Sequence, residues 1–81
     1  MAENGKVFIR KEFDFPIPEE IKSDITTLEK AFLNNSPLLD FIVDDLKLLV
    51  RLSIGGESGL TEEQGKEITD YYCNGKYTGN V

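Results

Sequence analysis

The stretch that decides the fold is LLDFIVDDLKLLVRLSI, residues 38–54. Leu38, Leu39, Phe41, Ile42, Val43, Leu46, Leu48, Leu49, Val50, Leu52 and Ile54 make eleven apolar residues in seventeen positions. Asp40, Asp44, Lys47 and Arg51 recur at spacings of four, three and four, so they fall on one narrow stripe of a helix, with Asp45 beside it. A helix apolar around most of its circumference is central and has to be covered on several sides. Five charges within the stretch exclude a membrane span. Ser36-Pro37 opens the helix, with Ser as N-cap and Pro at the first helical position.

On the N-terminal side, Pro18-Glu19-Glu20 starts another helix: Pro presets φ, and two acids sit near the positive end of the dipole. Ile21, Ile25, Leu28 and Phe32 follow as one apolar stripe, and Asn34-Asn35 ends the helix. On the C-terminal side, Gly55 to Gly59 is a loop, and Thr61-Glu62-Glu63-Gln64 matches a capping box. The third helix carries Ile68, Tyr71, Tyr72 and Cys73 as its apolar residues and stops at Asn74-Gly75. Gly65 weakens it by about 1 kcal/mol relative to Ala.

Val7, Ile9, Phe13 and Phe15 fall on one side of a two-residue alternation and Phe8, Arg10, Glu12 and Asp14 on the other, a half-buried strand pattern. Pro16 and Pro18 stop it, because neither can donate to a ladder. A single strand leaves backbone groups unpaired, so the tail Lys76–Val81 or a strand from another molecule has to pair with it.

The expected fold is therefore mainly α: a small three-helix core with helices near residues 18–34, 37–54 and 62–73, and an N-terminal β-strand near 6–15. The predicted core is Ile25, Leu28, Phe32, Ile42, Leu46, Leu49 and Val50. Residues 1–81 make one small domain, with 1–5 expected to be flexible.

Composition narrows the function. The net charge is −6, with fifteen acids against nine bases, no His and one Cys. A lone cysteine excludes a disulfide framework or a Cys-rich zinc site, and the missing histidine removes the usual general base and the commonest metal ligand. An acidic surface is not built to neutralise phosphates, so no direct nucleic-acid partner is expected. No secretory leader or lipidation box is visible, and the cytoplasm is the expected compartment.

Each cluster with chemical potential has a plainer reading. The Gly55–Gly59 loop leads into a helix, as phosphate-binding loops do. Leu60-Thr61 follows where a Lys-Ser/Thr pair is needed, and Glu57, Glu62 and Glu63 repel anions. Ser58 has no His to activate it. Asp40, Asp44 and Asp45 have no third ligand and read as dipole-favourable acids. Cys73 has no basic residue closer than Lys76 and reads as a small packed thiol. Ser36 at a helix start resembles the phosphopantetheine-bearing Ser of acyl carrier proteins. That family's Asp-Ser-Leu triplet is here Asn35-Ser36-Pro37, and a strand pattern replaces its first helix, so Ser36 is read as an N-cap.

No catalytic, metal or cofactor site is expected, and no membrane partner. The expectation is a non-catalytic protein–protein interaction or regulatory module that docks a protein partner or self-associates through apolar surface. Its motive is the mismatch between the apolar supply of residues 38–54 and the cover that two short helices offer. Phe8, Phe13, Phe15, Tyr71, Tyr72 and Tyr77 are the interface candidates, being residue types that anchor interfaces. The alternative is an acidic inhibitor or decoy, of the kind phage inhibitors and antitoxins use, that blocks a basic groove of a nucleic-acid-acting protein. Glu63, Glu67 and Asp70 would be its acidic face.

Overall fold

A computed structural model of the chain describes residues 6–57 and 59–80. Met1–Gly5, expected to be flexible, and Ser58 lie outside the described residues. The elements run β1 (Lys6–Phe8), α1 (Glu19–Leu33), α2 (Leu39–Ser53), α3 (Glu62–Tyr72) and β2 (Thr78–Asn80). This is the mainly α, three-helix architecture with a minor sheet that the periodicities predict.

Local chemistry sets the helix ends. Glu19 and Glu20 occupy the first turn of α1, and Lys30 its last. Beyond Leu33 the chain turns back through Asn35 at φ 54°, where Ser36 N–H reaches Ala31 O at 2.8 Å and Asn35 N–H reaches Phe32 O at 3.3 Å. Those two bonds satisfy carbonyls that the helix end would leave unpaired. α2 begins two residues later than expected, at Leu39: Leu38 is its capping residue, and Ser36 Oγ accepts from Leu38 N–H at 3.1 Å in the turn before the helix, which holds Pro37 outside it. At α3 both arms of the capping box form, Thr61 Oγ1 accepting from Gln64 N–H and Gln64 Oε1 from Thr61 N–H, each at 3.1 Å. Gly75, at φ 75°, then supplies the left-handed residue that stops the chain beyond α3, with Lys76 N–H bonded to Tyr71 O.

α2 packs against both α1 and α3. Ile21, Ile25, Leu28, Phe32, Leu46, Val50, Leu60, Ile68, Tyr72 and Tyr77 form the buried cluster. Five of the seven predicted core residues are among them. Ile42 and Leu49 are half-buried at its margin, because they sit where α2 turns from the core toward solvent. Leu60, just before α3, is buried although no periodic pattern contains it. Gly55 N–H bonds its carbonyl at 3.2 Å, and that fold of the loop tucks the side chain in.

The strand is shorter than its sequence pattern. β1 and β2 pair antiparallel in the register Lys6↔Asn80, Val7↔Gly79, Phe8↔Thr78, so the tail is the partner of the strand. The three residues of β2 can ladder only three of β1, and beyond Ile9, whose N–H donates to Tyr77 O at 2.7 Å, the chain continues without a strand. Phe13 and Phe15 pack on the core and Arg10, Glu12 and Asp14 are exposed, as the alternation predicts, but Phe8 and Ile9 are exchanged. Phe8 packs against the core, while Ile9 is largely exposed, because the aromatic rings of Phe32 and Tyr77 lie under Phe8.

Candidate functional site

The six aromatic side chains proposed as interface anchors gather inside the molecule. Phe8 lies 4.9 Å from Tyr77, 6.0 Å from Phe32 and 6.1 Å from Tyr72, centroid to centroid. Phe13 and Phe15 are 5.1 Å apart, and Phe13 reaches Tyr72 at 6.4 Å. Tyr71 meets Tyr72 edge-on at 4.9 Å. These are the spacings at which aromatic pairs attract. Tyr72 and Tyr77 are buried and the other four half-buried, so most of this aromatic area is spent within one chain.

Two phenols of α3 also fix the segment after β1. Tyr72 Oη accepts from Lys11 N–H at 3.0 Å, and Tyr71 Oη donates to Ile9 O. Burial raises the Tyr72 phenol above its ordinary value, and the Lys11 bond and Arg10 pull back against that shift. Arg10 lies over α1, its guanidinium bonded to Glu29 at 3.1 Å and Thr26 Oγ1 at 2.9 Å. A groove runs between this segment and α1, walled by Lys11, Phe13, Ile17, Ile25 and Tyr72.

The exposed apolar surface is elsewhere, on α2. Phe41 is 70% exposed, Leu52 68%, Leu38 56% and Leu48 53%. The helix turns these four side chains to one side, away from Leu46 and Val50, which are buried. Asp45 interrupts the stripe on the α1 flank, where it neighbours Asp24. On the other flank Asp40, Asp44, Lys47 and Arg51 are all exposed, and Asp44, Lys47, Leu48 and Arg51 line a groove that Thr69 of α3 closes. Sequence reasoning anticipated surplus apolar surface on this helix but placed the anchors among the aromatics. The signal that locates the stripe is the spacing 38, 41, 45, 48, 52, a three-four repeat distinct from the core face.

Asp24 is a feature the sequence did not announce. It is half-buried between α1 and α2, its Oδ2 enclosed with no hydrogen-bond partner of good geometry. Burial, then sharing a proton with Asp45, then repulsion from Asp45, raise its carboxyl to about 6.

The remaining acids and the thiol are less distinctive. Glu63 and Glu67 are exposed on α3. Asp70, exposed in the last turn of α3, reaches the turn that follows, accepting from Asn74 Nδ2 at 3.0 Å and pairing with Lys76 Nζ at 3.4 Å. Cys73 is half-buried with its thiol pushed up by burial, and its Sγ lies 3.8 Å from Val43 O. That setting disfavours the reactive thiolate. Among the described residues no group of three or more acids and cysteines is placed to hold a metal ion, and no helix is long and apolar enough to cross a membrane. Compared with protein-family models, curated proteins and solved structures, the chain finds no match in any of the three.

Proposed function

We propose that the protein is a non-catalytic interaction module whose docking face is the outer side of α2. The observation that carries this reading is the row Leu38, Phe41, Leu48 and Leu52, four large apolar side chains more than half exposed along α2 and the residue that leads into it. Single exposed apolar residues are ordinary on any surface, whereas four gathered on one side, in two pairs flanking Asp45, cost solubility and are characteristic of an interface. The face has two further attributes of a docking surface: a rigid helical support, and a charged rim at Asp40, Asp44, Lys47 and Arg51.

The acidic-decoy reading has weaker support. Glu63, Glu67 and Asp70 are all exposed, but Asp70 is already engaged by Asn74 and Lys76, which weakens the negative strip the row would offer.

Affinity capture from the cells that make the protein tests the proposal, with wild type and a Phe41→Asp/Leu48→Asp variant as paired baits. Retention of specific proteins by wild type and their loss from the variant is expected. Identical captured sets would refute the α2 face as the docking surface.

A further inference from the structure

We propose that the occupant of this face is the α2 helix of a second copy, packed antiparallel across a two-fold axis; the inference rests on the docking reading above. Residues 38, 41, 45, 48 and 52 are spaced three, four, three and four, the seam spacing of a two-helix coiled pair rather than the broader face that packs into a core. The core face of the same helix, with Leu46 and Val50, is separately covered by the chain itself.

Charge distribution selects the orientation. Along the rim beside the seam, the first half of α2 offers Asp40 and Asp44 and the second half offers Lys47 and Arg51. All four are exposed, and none forms an ion pair within the chain among the described residues. A two-fold axis perpendicular to the helix reverses its direction and keeps this rim on the same side in both copies. The acidic half of each copy then lies along the basic half of the other, and both contacts form by symmetry. A parallel pair would put the two rims on opposite sides of the seam, where they could not meet. Asp44 against Arg51 of the second copy, twice, is the pairing that the seam geometry favours.

The contact is modest. Fifteen helical residues extend about 22 Å, and Asp45 places a carboxylate in the seam at a cost in affinity. Asp45 lies on the α1 flank of the stripe, exposed and beside Asp24. A weak, reversible dimer is the expected species, below the size of a standard permanent interface.

Sedimentation equilibrium of the full chain, up to about 1 mM, tests this. Wild type should pass from monomer to dimer, and Leu48→Asp should weaken the association about 10-fold or more with an unchanged helical circular dichroism signal. Two charge variants give the orientation. Asp40→Lys/Asp44→Lys and Lys47→Glu/Arg51→Glu should each dimerise less than wild type, and an equimolar mixture should recover a heterodimer. A strictly monomeric wild type, a dimer indifferent to Leu48→Asp, or a mixture without recovery would each overturn the inference. The docking reading fails separately, when Phe41→Asp/Leu48→Asp captures the same proteins as wild type.

Discussion

Asp24 on α1 and Asp45 on α2 bring two carboxyls together where the helices meet, with Asp24 Oδ2 enclosed. With its carboxyl raised from 3.8 to about 6, the folded chain holds a proton there that the unfolded chain releases. Between those values the folded state binds more protons, so this pair makes stability fall as pH rises from about 4 through about 6. A shift of that size corresponds to about 3 kcal/mol for a fully enclosed group, and partial solvent access reduces it to about 1 kcal/mol. Asp24→Asn should therefore stabilise the fold at pH 7 and leave it nearly unchanged at pH 4. Urea midpoints of both proteins at the two pH values check this, and an equal effect at both would refute it.

The close approach of α3 to α2 is a second target. A Cβ on Gly65 would stand 2.8 Å from Ile54 Cδ1 and 3.0 Å from Val50 Cγ1. Ala is the better helix former by about 1 kcal/mol, but Val50 is a stiff, buried, β-branched side chain that cannot give way. Gly65→Ala should lower stability by about 0.5–2 kcal/mol net of the propensity gain. Thermal unfolding that shows a gain would overturn this account of why the helix tolerates a glycine.

Core and stripe should respond oppositely to truncation. Leu46→Ala empties a fully buried site and should cost about 2–5 kcal/mol. Leu52→Ala, on the exposed stripe, should change monomer stability by less than about 0.5 kcal/mol. Chemical denaturation at low protein concentration, where any association is absent, gives both values.

Tyr72→Phe removes the acceptor of the part-buried Lys11 N–H and should cost about 1–3 kcal/mol. Tyr71→Phe frees the more exposed Ile9 carbonyl to water and should cost less. Alkaline absorbance titration provides an independent check, because burial raises the phenols of Tyr72 and Tyr77 above their ordinary value.

These contrasts also show where sequence reasoning reached its end. α2 was legible because its apolar residues outnumber what any one face holds, and the capping box at Thr61 and Gln64 because both arms lie within four residues. The extent of β1 was not, since it depends on how many residues the distant tail supplies. Tyr72 and Tyr77 read as anchors or as core, and Phe8 as lying on the polar side of the strand, until the β1–β2 pairing brings the three rings together. Asp24 stands next to Ile25 on a helix rich in polar residues, and nothing local marks it as facing another acid. The outer stripe of α2 was legible as surplus but not as a location, because periodicity alone does not say which side the neighbours cover.

The ribbon of β1 and β2 joins residues about 70 positions apart, and a closure of that length has an entropic cost that local helices do not meet. Phe8, near one end of that closure, packs on Phe32 and Tyr72 and lies closest to Tyr77, a residue the far end supplies. A chain ending at Gly75 would therefore lose the ring on which both Phe8 and Phe32 pack, and with it one wall of the core.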